Sequence, residues 1–411
     1  MDPKFSHIAA LLAAALLASA CIYRYDVVIE RGGEYPMVVE GDIHIGGTST
    51  VKLSHVKPFQ LDDYEKIPIY AQGYIEGEDG TRVDGNPLGN PYYSSSASLS
   101  STLEFDTSQL AEGQRYRLHF ETCSKDGEPL HQFESEWLTP CPAPTIDNLT
   151  YSKNDQFGEL WVGLSMHCQG SHYFRWTFDE TWEYHSDLQS YLEYVPSQWS
   201  ETEMQYVNGF YQSLYPTLYY CWKNEASSKV NLFSTINQTE DRFEELAFHT
   251  IPLNDKRLQV MYKITVRLEA LSEDAYNYWQ NLQQKTHEQG SIFAPVPSEM
   301  ASNVHCTSDP SVQVMGYLNA AVPAMASMFY SNELEGFYVP DPPFARGDTT
   351  IAATNFATAD ALLGMGYLPF EEIYTMGPTP SAYTWTFESC IDCRKQGGTK
   401  QRPAGWPSGH L

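Results

Sequence analysis

Apolar and polar residues alternate with a period of two along most of this chain, in short runs broken by Gly, Asp, Asn and Pro. That is the pattern of antiparallel strands with one wet face. Met37 to Glu40 and Val51 to Leu53 are the first such runs, and Tyr70 to Ile75 leads into Asp79-Gly80, a dipeptide suited to the positive φ angles of a tight hairpin. Tyr116, Leu118 and Phe120 share a face, Asp126-Gly127 marks the next turn, and a return strand follows from about His131 to Leu138. At strand rise the two ends of that hairpin lie roughly 30 Å apart, which excludes a bridge between Cys123 and Cys141. The pattern then pauses at Thr139-Pro140-Cys141-Pro142-Ala143-Pro144, where prolines stiffen a connector and cannot continue a central strand.

Beyond this connector Leu160 to Met166 alternates, and Phe174, Trp176 and Phe178 face away from Arg175, Thr177 and Asp179. Leu218 to Trp222 and Lys229 to Phe233 continue the sheet, and Gln259 to Glu269 is the cleanest strand, with one wet face. Between them, residues 186 to 216 form an insertion with a weakly helical, aromatic-rich run from Glu201 to Leu214. Ser272 caps a helix running to about His287, with Glu273 and Asp274 at its positive end. Val304 to Cys306 and Val312 to Leu318 read as further strands. From Asp341 onward the pattern dissolves into Pro, Gly and Thr, apart from a short helix near Ala359 to Leu363.

Leu110 to Tyr116 resembles the tyrosine corner of immunoglobulin-type sandwiches, and Trp176 resembles their buried strand Trp. The expected fold is therefore mostly β. Two immunoglobulin- or fibronectin-like antiparallel sandwiches are expected, at residues 21–141 and 142–330, the second with helical insertions. Residues 331–411 are expected to form an irregular wrapping tail.

Residues 1–20 read differently. Lys4 precedes an apolar run from Ile8 to Ala20 that is too short to span a bilayer comfortably, as in an export signal. Its end, Leu17-Ala18-Ser19-Ala20-Cys21, resembles the bacterial lipobox, which makes Cys21 the expected lipidation site and mature amino terminus. Seven further cysteines remain, so at least one stays unpaired. The 411-residue chain carries a net charge of −27, a field that repels phosphate backbones and excludes non-specific nucleic-acid binding.

Few motifs offer chemistry. Cys390-Ile391-Asp392-Cys393 has the spacing of half a zinc knuckle, but no second pair with that spacing completes four ligands, so disulfides are favoured over metal in an exported chain. His287-Glu288 lacks the second His of a zincin, and Gly163-Leu164-Ser165-Met166-His167 lacks the last Gly of a nucleophile elbow. Arg346-Gly347-Asp348 and Asp348-Thr349-Thr350 are short matches to adhesive and glycosylation sites, and both are read as chance. No catalytic residue, metal site or cofactor is assigned. The aromatic excess of the insertion supplies the candidate ligand contacts: Tyr191, Tyr194, Trp199, Tyr206, Phe210 and Tyr211.

Ordered segments then point to a family. Tyr220-Cys221-Trp222-Lys223, Ala275-Tyr276-Asn277-Tyr278-Trp279, Gly290-Ser291-Ile292-Phe293, Asn303-Val304-His305-Cys306 and the stretch from Cys390 to Thr399 resemble the Bacteroidetes lipoproteins of domain-of-unknown-function family 4249. Pro403-Ala404-Gly405-Trp406 departs from that family's usual residues before its Trp. The resemblance brings no catalytic residues. It implies two disulfides among Cys221, Cys306, Cys390 and Cys393 that tie the tail to the second sandwich. It also implies a non-catalytic binding protein, lipid-anchored in the outer membrane at the cell surface and accessory to a TonB-dependent nutrient-import receptor. The rival expectations are a surface glycan-binding or adhesive lipoprotein, and a surface hydrolase whose carboxylates converge only in the fold.

Overall fold

The structure is a computed structural model that describes residues 36–55, 69–88, 101–124, 126–214, 218–227, 231–288, 302–338 and 351–407. Cys21, Arg346-Gly347-Asp348 and Asp348-Thr349-Thr350 lie outside them. The chain is mostly β, with several antiparallel sheets.

Two five-stranded sheets share the first core. One has the order Val314–Met315, Met37–Gly41, Thr48–His55, Thr102–Asp106, Asn86–Pro87; the other runs Val304–Cys306, Pro129–Ser135, Tyr116–Cys123, Tyr70–Gly77, Arg82–Asp84. The period-two alternation points Val51, Leu53, Leu103 and Phe105 from one sheet at Ala71, Ile75, Leu118 and Phe120 from the other. Each large side chain buried this way contributes about 1.5–3 kcal/mol. The Tyr116 hydroxyl accepts from the Ala111 N–H and donates to the Ala111 carbonyl, both at 2.9 Å, the back-bonding expected of a tyrosine corner.

The second pair sets Thr145–Asn154, Glu159–His167 and Arg242–Pro252 against Tyr220–Ala226, Tyr173–His185, Met261–Ala270 and Ala324–Ser331. Leu160, Val162, Phe174, Trp176, Ile264 and Val266 lie in their common core. The Ser272 hydroxyl accepts the Ala275 N–H at 3.2 Å and starts the helix Glu273–Glu288. No helix among the described residues is long and apolar enough to cross a membrane.

Four expectations need correction. First, of the strands after that helix only Ala324–Ser331 joins the second pair. Val304–Cys306 pairs with Pro129–Ser135, Val314–Met315 pairs in parallel with Met37–Gly41, and Ala320–Ala321 pairs in parallel with Ile43–His44. The returning chain covers open strand edges of the first pair, and Val304, Cys306 and Leu318 enter its core.

Second, the run from Glu201 to Leu214 is not helical. Leu192–Val195 pairs with Phe210–Ser213, and inside this hairpin Gln198–Ser200 pairs with Gln205–Val207. Gly209 permits the fold-back, because a Cβ there would strike the Tyr194 ring and hydroxyl.

Third, the described part of the tail has regular structure. Ile351–Ala353, Ala382–Phe387 and Tyr367–Ile373 form an antiparallel sheet beside the helix Phe356–Gly364. Trp385 is fully buried there against Ala353, Ala359, Leu362 and Tyr194.

Fourth, one of the two implied disulfides is present, Cys221–Cys393. Cys306 and Cys390 are free thiols: Cys306 is buried in the first core, whereas Cys390 lies in the short helix Glu388–Ile391 of the tail.

Candidate functional site

The six aromatic candidates of the insertion divide into two groups. Tyr194 is 5% exposed and packs with Trp385, while the Tyr211 ring stacks on Tyr383 at 3.4 Å between centroids. The Trp385 indole N–H donates to the Tyr211 hydroxyl at 3.2 Å, and the Tyr194 hydroxyl donates to Asp360 Oδ1 at 2.8 Å. Burial, with the Asp360 carboxylate beside it, pushes the Tyr194 hydroxyl up to about 12. These two side chains dock the insertion onto the tail.

The other four are exposed: Tyr191, Phe210, Trp199 at 53% and Tyr206 at 71%. Trp199 and Tyr206 are directly opposed in the inner hairpin, their rings edge-on at 5.6 Å, and Met204 at the turn is exposed as well. Glu203 beside them accepts from Gln205 at 3.0 Å, and Glu193 accepts from Gln212 at 2.6 Å. The result is an aromatic finger with acidic flanks, held at its base by buried rings. Its chemistry is stacking and apolar contact.

A groove of about 850 Å³ lies on the second sheet of the first pair. Arg82 sits 3.6 Å over the Tyr74 ring and His119 stacks on Tyr74 at 4.7 Å. His119 is fixed by Glu76 at 2.7 Å from Nε2 and by Glu134 at 3.6 Å from Nδ1, and Arg117 bridges the same two carboxylates at 3.4 and 3.3 Å. Both ring nitrogens of this imidazole face carboxylates. The groove offers amide, carboxylate and guanidinium groups to a polar ligand.

A third cluster joins the two sheet pairs and was not anticipated from the sequence. Arg175 and Glu269 are cross-strand partners on the polar face of Tyr173–His185 and Met261–Ala270. From the first pair, the segment Asp42 to His44 closes over them. The Arg175 guanidinium donates to Asp42 and to Glu269, the latter at 2.6 Å, and His44 Nε2 lies 2.9 Å from Glu269. Trp279 of the helix packs against Arg175 at 5.1 Å.

Burial opposes the charge on Glu269, but Arg175 and His44 outweigh it and hold its carboxyl at about 2. Burial and the neighbouring Glu269 charge raise Asp42 despite the opposing pull of Arg175 and His44. Burial alone would depress His44, yet its bond to Glu269 leaves it raised. Asp42, His44 and Glu269 place ligand-type atoms within 4.8 Å of one another, the one such group among the described residues. Both carboxylates already neutralise Arg175, so a divalent cation would have to displace a buried guanidinium; the set fits an ion-pair network better than a metal site. The alternation showed Arg175 on the wet face. The signal it lacked was that residues 42–44, more than a hundred positions earlier, would cover that face.

A family model described as Domain of unknown function (DUF4249) matches residues 22–326. The match spans both sheet pairs and ends within the strand Ala324–Ser331, so the tail with Cys393 lies beyond it. No curated protein matches the chain.

Proposed function

The chain belongs to the DUF4249 family of unknown function, and from that premise we propose that it is a Bacteroidetes lipoprotein held in the outer membrane by acylated Cys21. In this reading it is a non-catalytic binding protein, accessory to a TonB-dependent nutrient-import receptor. The observation that carries the binding role is the aromatic finger: Trp199, Tyr206, Tyr191 and Phe210 stand exposed while Tyr194 and Tyr211 fix its base. Exposed aromatics on a pre-ordered hairpin lose little conformational freedom on contact, which suits recognition.

The buried acids favour the same reading over hydrolysis. Asp42 and Glu269 are held by Arg175, and Glu180 accepts from Tyr262, Arg257 and His249 at 2.8, 2.9 and 3.0 Å. Tethering on a membrane raises the effective concentration near a receptor, so modest contacts suffice. The groove beside Tyr74 and His119 favours a second reading, a surface glycan-binding module, because its lining suits a hydroxyl-rich ligand.

Membrane fractionation of Cys21→Ala tests the anchor. The variant is expected in the soluble fraction while the wild type stays with the outer membrane; unchanged partitioning would reject lipidation at Cys21. Co-purification of a TonB-dependent channel with the wild type separates the accessory role from the free-standing glycan-binding module.

A further inference from the structure

We propose that the cavity between the insertion and the tail is a binding pocket for a small apolar group, an aromatic ring or a short alkyl chain carried by the ligand. This rests on the reading of the molecule as a binding protein and adds the chemical class of what it binds. The cavity has a volume of about 200 Å³ and is walled chiefly by Leu192, Leu214, Leu218, Leu363, Leu368 and Ile391. Protein interiors leave few voids larger than a water molecule. A cavity of about 150 Å³ with aliphatic and aromatic walls stays dry and takes benzene, so this one has room for a ring of roughly indole size.

The polar groups around it are already engaged. The Ser190 hydroxyl donates to the Pro369 carbonyl at 2.8 Å and accepts the Leu192 N–H at 3.1 Å. Glu193 accepts from Gln212, and the Tyr194 hydroxyl is committed to Asp360. A sugar or a charged group entering here would lose its water and gain no partner, whereas a hydrocarbon group would lose nothing polar. The pocket therefore selects apolar chemistry.

The walls are also set before any ligand arrives. Leu188 donates its N–H to the Cys390 carbonyl at 2.8 Å, the Ser186 hydroxyl donates to the Ile391 carbonyl at 2.7 Å, and the Cys393 N–H donates to the Leu218 carbonyl at 3.0 Å. The Cys221–Cys393 disulfide locks the same junction. Pre-formed walls reduce the ordering that binding must otherwise impose. Exposed Tyr191 lies between the lining residues Ser190 and Leu192, and its carbonyl accepts the Leu214 N–H at 2.8 Å, so an aromatic platform stands beside the pocket.

The test uses the full chain carrying Cys21→Ala, purified without detergent and titrated with 5-fluoroindole by fluorine NMR, with glucose as a competitor. Saturable binding at one site, untouched by glucose, is expected. Leu368→Trp, which fills the cavity, should weaken it at least tenfold, while Leu130→Trp at an exposed strand position leaves it unchanged. Leu214→Phe replaces Leu368→Trp if that variant fails to give the native circular dichroism spectrum. Absence of saturable binding, or undiminished binding in the filled variant, overturns the pocket. Because membrane partitioning is read separately from the wild type, loss of the pocket and loss of the anchor are distinguishable.

Discussion

At the scale of single residues, Arg175 ties the two sheet pairs together, since one guanidinium serves two buried carboxylates from different pairs. Removing one partner of such a network leaves charge buried and uncompensated, a loss of about 3–5 kcal/mol. Arg175→Ala should therefore lower stability by that amount in urea unfolding. The pH dependence follows from the direction of each shift. Glu269, held at about 2 against an ordinary 4.5, contributes stability above pH 4.5 that is lost as pH falls toward 2. His44, raised above its ordinary 6.5, contributes fully below pH 6.5, and that share is lost as pH rises through its folded value. Asp42, raised above its ordinary 3.8, has the opposite sign and gains stability as pH falls. The comparison with Arg175→Ala therefore isolates Glu269: between pH 5 and pH 3 the urea midpoint of the variant should drop less than that of the wild type. Equal drops would show that the cluster does not couple to protons in this way.

At the scale of elements, the nested hairpins show how an ambiguous pattern is decided. Met204, Val207, Tyr211 and Leu214 are spaced three and four apart, which fits a helical face, yet the same segment also reads as two strands around Asn208-Gly209. The outer strands were selected by distant rings, because Tyr194 and Tyr211 pack on Trp385. The strand Met261–Ala270 needed no such help: its alternation is clean, and its inward residues Tyr262, Ile264, Val266 and Leu268 are all buried. For the finger itself, replacing Trp199 and Tyr206 by Ala should change thermal stability by less than about 0.5 kcal/mol per residue, as expected of exposed positions. If the finger is the contact, the double variant should lose about 2 kcal/mol or more of affinity for its receptor, measured on detergent-extracted outer membranes. Full retention of affinity would move recognition elsewhere on the molecule.

At the scale of the whole molecule, the chain closes on itself twice. Residues 304–321 return to the first sheet pair, and Cys393 returns to Cys221 across 172 residues. Closing a loop of that length restricts the unfolded chain by about 5 kcal/mol in the chain-entropy model. Cys221→Ser should lower stability on that order, and reductant should lower the wild type to match; a wild type indifferent to reductant would show that the bridge bears no load. By itself the sequence determined the β class, the tyrosine corner, the capped helix and the inward faces of the best strands, because these depend on period-two spacing and on neighbours a few positions away. Tertiary structure alone decided which edge the returning strands cover, which cysteines pair, that the tail holds a core around Trp385, and that Arg175 is buried between sheet pairs. Each of those depends on surfaces brought together from more than a hundred residues apart, and local spacing carries no information about which distant surface will arrive.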